Sequence, residues 1–242
     1  MNWMKKVAVA LVCLLPLGLQ AAKVDTLQVK SPSMNKSIEV VVVSPDMAAT
    51  EACPVIYLLH GYGGNARTWV GIKPDLTKIA DEKGIFFVCT DGKNTWYWDS
   101  PLNADVRYET FISDELVKYV DSHYKTVADR KGRAITGLSM GGHGAMWNGL
   151  RHSDVFSAAG STSGGVNIRP FPKNWEMSVQ IGEKAKYPEN WEKYTVINLV
   201  PTLRKDQIAL IFDCGDSDFF LEVNKNYHEA LLKQGIDHDF IT

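Results

Sequence analysis

The stretch RAITGLSMGGHGAMWNGL, residues 133–150, decides the fold. Its first part, Arg133 to Leu138, is a short apolar run that reads as a buried strand. Its last part, from Gly141 to Arg151, reads as a glycine-rich helix. Between them stands Ser139, with Gly137 and Gly141 in the pattern G-x-S-x-G. A serine on a strand-to-helix turn is held in a strained backbone, and its neighbours must lack bulk. The five-residue pattern alone recurs by chance in roughly one chain in ten of this length. The strand before it and the helix after it make it a nucleophile elbow, with Ser139 as candidate nucleophile.

Working outward, strands and helices alternate on both sides. Val24–Val29, Ser37–Ser44, Pro54–Leu59, Ile85–Thr90, Val155–Ser161, Gln207–Phe212 and His238–Thr242 read as strands. Asp75–Lys83, Val106–Tyr124, Asn198–Arg204 and Phe219–Gln234 read as helices. Most of the strands are continuous apolar runs, which predicts a largely parallel sheet covered on both faces: an α/β fold. Residues 162–195, with three prolines, a Gly-Gly pair and weak periodicity, read as an insertion over the sheet edge.

The chain has 242 residues, which is the size of one sizeable domain. The formal net charge is −2 and no basic stripe occurs, which argues against nucleic acid as a partner. Lys5 and Lys6 precede an apolar run, Val7 to Leu19, and Gln20-Ala21-Ala22 follows. This is the order of a secretory signal peptide, and the run is short for a membrane span. Residues 1–22 are therefore expected to be removed, leaving a domain from residue 23 to 242 with 24 basic and 28 acidic residues, no membrane span, and a secreted or periplasmic location. Cys53, Cys89 and Cys214 remain; they allow one disulfide at most, and buried free thiols are the equal alternative. Their spacing gives no zinc motif, and neither metal nor cofactor is expected.

A serine nucleophile needs an oxyanion hole, an acid and a base. The glycine-rich loop His60-Gly61-Tyr62-Gly63-Gly64 follows the strand Pro54–Leu59. Such a loop gives one backbone N–H to the oxyanion, and the residue after the serine gives the other. These are Tyr62 and Met140. The acid belongs in a loop after a later strand, and IALIFDCGDSDFF offers Asp213, Asp216 and Asp218. Asp218 is best placed to open the following helix and reach the strand tips, with Asp216 next. WYWDSP also follows a strand, so Trp96 and Trp98, with Tyr97 and Trp175 beside them, are candidates to line a pocket for a sugar ring or aromatic acyl group; packing of their own loop is the equal alternative.

Taken together, HGYGG, WYWDSP, YETFISDEL, RAITGLSMGGHGAM, FSAAGSTSGG and DCGDSDFF resemble the putative-esterase family. That family includes esterase D, acetyl and tributyrin esterases, feruloyl esterases and mycolyltransferases. The resemblance runs over almost the whole chain after residue 22. It implies an α/β-hydrolase fold, a mostly parallel central sheet with helices on both faces. It also implies ester cleavage by a serine, with Ser139 matching the nucleophile, Asp218 the acid, and Tyr62 with Met140 the oxyanion donors.

The base does not match. In the family it lies in a loop after the last strand, about thirty residues beyond the acid. Only 24 residues follow Asp218. The expectation is a domain lacking its C-terminal histidine loop. None of the six histidines replaces it: His60 is expected to order its loop, His143 to point along its helix, His238 to enter the last strand at the wrong end. The expected function is a secreted serine carboxylesterase acting on short-chain or carbohydrate-linked acyl esters. A non-catalytic relative that binds an ester or glycan, and an acyltransferase, are the alternatives.

Overall fold

β1 (Lys23–Ser31) and β2 (Lys36–Ser44) form a hairpin whose turn uses Asn35 at φ 48°, a left-handed position that asparagine tolerates. The computed structural model describes residues 22–242. In chain order there follow β3 (Val55–Leu59), α1 (Thr68–Ile72), α2 (Leu76–Lys83) and β4 (Phe86–Thr90). Next come α3 (Tyr108–Thr110), a π-helical segment (Phe111–Leu116) and α4 (Val117–His123). β5 (Arg133–Gly137), α5 (Met140–Arg151) and β6 (Ala158–Thr162) surround the elbow. The chain continues through α6 (Met177–Ile181), α7 (Pro188–Lys193), a 3₁₀ segment (Val196–Thr202), β7 (Ala209–Asp213), α8 (Leu221–Gln234) and β8 (Asp239–Ile241).

The eight strands form one sheet in the order β1-β2-β4-β3-β5-β6-β7-β8. β2 pairs antiparallel with β1 and β4, and every other pair is parallel. This is the expected α/β-hydrolase architecture. Strand alternation sorts the side chains by face. Val40, Val42, Tyr57, Leu59, Phe86 and Val88 join the main core with α5 and α8. Val41, Val43, Leu58, Phe87 and Cys89 pack on Leu76 and Ala80 of α2. A continuous apolar run is thus what a strand covered on both faces requires.

The structure refines three of these expectations. The helix read over Val106–Tyr124 runs without a break from Tyr108 to His123, and its middle, Phe111–Leu116, widens into the π segment. β6 starts at Ala158, because the N–H groups of Val155 and Phe156 bond back to the His152 carbonyl and close a turn. The insertion at 162–195 starts at the C-terminal end of β6. It joins β6 to β7, which are interior neighbours, and its Trp191, Met177 and Ile181 are buried in the main core. Cys53, Cys89 and Cys214 are free and buried, so no disulfide forms among them.

Candidate active site

Ser139 stands between β5 and α5 with φ 57° and ψ −115°, a region costly for any residue but glycine. Backbone bonds hold it there: Leu138 N–H to Leu59 O at 3.2 Å and Ser139 N–H to Thr162 O at 2.9 Å. The flanking glycines are required by space. A Cβ on Gly141 would fall on the Leu59 carbonyl, and one on Gly137 would fall on the Gly141 backbone. The elbow therefore packs against β3 at the point where the glycine loop begins.

An open cleft of about 350 Å³ lies over the elbow, lined by Gly61, Tyr62, Gly64, Thr68, Leu138, Ser139 and Trp175. Ser139 is half-buried, and its hydroxyl makes no hydrogen bond among the described residues. Around it, Gly63 N–H goes to Asn94 Oδ1, Gly64 N–H to Gly61 O, and Gly141 N–H to Leu138 O. The N–H groups of Tyr62 and Met140 have no partner among the described residues. Two unbonded donors beside an unbonded serine hydroxyl can receive the oxygen of a carbonyl under attack.

The three carboxylates after β7 differ in their bonding. Asp213 Oδ2 accepts from the Thr162 hydroxyl at 3.0 Å, which ties it to the neighbouring strand. Asp216 is exposed. Asp218 is half-buried in the turn that opens α8, where one oxygen accepts from Phe220 N–H at 2.7 Å. Its other oxygen has no partner among the described residues. Part of Asp218 thus serves the turn, and part is free to orient another group.

No histidine lines the cleft. His60 uses both ring nitrogens on backbone, Nδ1–H to Gly61 O and Nε2 accepting from Gly92 N–H. His143 is fully buried, its Nδ1 at 2.9 Å from Gly165 O and its ring among Trp96, Trp98 and Trp147. Burial pushes its pKa down to about 4, so it is neutral at pH 7. His152 bonds Glu109, and His123 bonds Tyr119 and Ser122 on α4. His228 and His238 bond each other at 2.7 Å. His238 directly precedes β8, at the end of the sheet opposite the strand tips.

Trp96 and Trp98 do not line the cleft. Both are buried, stacked on each other beside His143, and belong to the core. The cleft wall is Trp175 of the insertion, held by Trp96 Nε1–H to the Trp175 carbonyl at 3.1 Å. Trp175 stacks on the exposed Phe219 beside Asp218. Both Trp175 and Glu176 have left-handed backbones, which the sequence KNWEM gives no sign of. Among the described residues no group of His, Cys, Asp and Glu could hold a metal ion.

The family model described as "Putative esterase" matches residues 31–234. An acetyl esterase of Caldicellulosiruptor saccharolyticus is 25% identical over 78% of this chain and 74% of its own length. An endo-1,4-beta-xylanase/feruloyl esterase of Xylanibacter ruminicola is 28% identical over 79% of this chain, which spans only 25% of that longer protein. A solved ferulic acid esterase superposes with a TM-score of 0.76 at 29% identity, covering 91% of this chain and 89% of the other.

Proposed function

Since this chain belongs to the putative-esterase family, we propose that it is a serine carboxylesterase working through an acyl-enzyme. The observation that carries the reading is the elbow itself: an unbonded Ser139 hydroxyl in an open cleft beside the unpartnered Tyr62 and Met140 N–H groups. Ser139 Oγ attacks the ester carbonyl, its proton leaves to a base, and the two N–H groups hold the oxyanion. The alcohol departs with that proton, and water then releases the acyl group. Asp218 orients the base through its free oxygen.

The base is proposed to come from residues continuing past β8. Ile241 pairs with Asp213, and Cys214 N–H bonds Ile241 O at 3.0 Å. The C-terminal end of β8 therefore lies at the sheet edge where Asp218 stands. Short acyl esters, free or on carbohydrate, are the proposed substrates. The names of the acetyl and xylanase/feruloyl esterase relatives support this class, and residues 1–22 support export of the mature chain. The absence of histidine from the cleft favours a second reading, a relative that binds an ester or glycan without cleaving it.

Hydrolysis of p-nitrophenyl acetate separates the two. It is to be measured for residues 23–242 and for the same chain extended by the residues its gene encodes next, each with and without Ser139→Ala. The extended form should be active, its Ser139→Ala variant should lose at least about 10⁴-fold, and residues 23–242 alone should be weak. Equal rates with and without the extension would remove the base from that segment. No turnover in any form would leave the binding reading.

A further inference from the structure

The loop after β4 contains two successive residues in left-handed backbone, Trp96 at φ 58° and Tyr97 at φ 61°. Neither is a residue that adopts this region readily, so surrounding contacts must hold them. The Tyr97 ring is completely buried. It lies between Gly92 of its own loop and Gly144 of α5, and a Cβ on either glycine would fall within the ring. Its hydroxyl donates to the His60 carbonyl at 3.0 Å.

The same loop reaches the glycine loop twice more. Gly92 N–H donates to His60 Nε2 at 2.9 Å, and Asn94 Oδ1 accepts from Gly63 N–H at 2.9 Å. Asn94 Nδ2 also donates to Glu176 Oε2 at 3.2 Å, next to the cleft wall Trp175. Gly144 is one helical turn from Met140, while His60 and Gly63 bracket Tyr62 in sequence. Tyr97 thus rests on the helix that carries one unpartnered N–H and hydrogen-bonds the loop that carries the other.

We propose that Tyr97 and Asn94 are positioning residues that set the separation of the Tyr62 and Met140 N–H groups, and so the fit of the oxyanion hole. The kinetic consequence rests on the esterase reading; the bracing of the loop does not. Burial holds the Tyr97 phenol protonated well above its ordinary range, so its bond to His60 persists at any working pH.

Tyr97→Phe keeps the ring and removes one donor; Asn94→Ala removes the second brace at a half-buried site. In the form of the chain that hydrolyses p-nitrophenyl acetate, active serines are counted with a fluorophosphonate probe. Each variant should lower kcat per titrated serine about tenfold, with KM changed less than about twofold. Hydrogen exchange should speed up in residues 60–64 and stay unchanged in the β1–β2 hairpin. Unchanged kcat per titrated serine in both variants would overturn the proposal, as would exchange that speeds up everywhere. If no form of the chain cleaves an ester, the functional reading fails, and exchange alone decides: equal protection of 60–64 in both variants and the parent overturns the brace.

Discussion

Ser139 has the backbone of a glycine and the side chain of the proposed nucleophile. The stored strain is of the order of 1–3 kcal/mol, and it is kept because the turn directs the hydroxyl into the cleft. Removing the Cβ should release it. Ser139→Gly should therefore melt higher than Ser139→Ala by a few degrees, while both are inactive; calorimetry of the pair checks this. His143, four residues on, was a tempting base for this serine, and burial among tryptophans disqualifies it. Its folded pKa of about 4 lies below the ordinary 6.5. Between those values the unfolded chain takes up a proton that the folded chain refuses. Stability should thus fall as pH drops from 6.5 towards 4 and level off below. The loss is on the order of 3 kcal/mol. His143→Asn keeps a donor for the Gly165 carbonyl and has nothing to titrate, so its melting temperature should vary less over that range.

Among the elements, α5 carries the elbow, and its position depends on a buried carboxylate of another helix. Glu109 of α3 accepts from Trp147 Nε1 at 2.7 Å, Arg151 Nε at 2.7 Å and His152 Nε2 at 2.8 Å. Burial would raise its pKa, but the hydrogen bonds from His152, Arg151 and Trp147 outweigh it and hold the carboxyl below its ordinary value. Removing one partner of a buried charge network leaves the others desolvated and unpaired. Glu109→Ala should cost about 3 kcal/mol in urea unfolding, far more than loss of an exposed pair such as Lys78–Glu82. The motif YETFISDEL was read as a helix with an apolar face. The π segment inside it, with Phe111, Ile112 and Ser113 all buried, was not readable. Periodicity reports which residues are buried on average, and a local widening of the helix leaves that average nearly unchanged.

For the whole molecule, the mostly parallel order of the sheet explains why the site gathers where it does. Every parallel strand from β3 to β8 ends at one edge, and the loops after β3, β5 and β7 supply Tyr62, Ser139 and Asp218. Residues 1–22 precede this domain in sequence, and residues 1–21 lie outside the described ones. Export is tested on the chain as its own cells make it. N-terminal sequencing of the protein outside the cytoplasm should begin at Lys23; an intact Met1 there, or protein found only in the cytoplasm, rejects the signal peptide.

The sequence by itself determined the fold class, the strand order's parallel character, and the elbow. Those features are carried by local pattern: apolar runs, glycines flanking one serine, and a carboxylate run after a strand. Only the tertiary structure decided which aromatic residues face the cleft. Trp96 and Trp98 lie in a loop at the correct edge, yet they turn inward because His143, Trp147 and Tyr194 offer them a core. Trp175, from a stretch with only weak periodicity, forms the wall instead. The bracing contacts of Tyr97 and Asn94 were equally silent in sequence. Their contacts join residues 31 to 82 positions apart, and spacing along the chain carries no record of such a meeting.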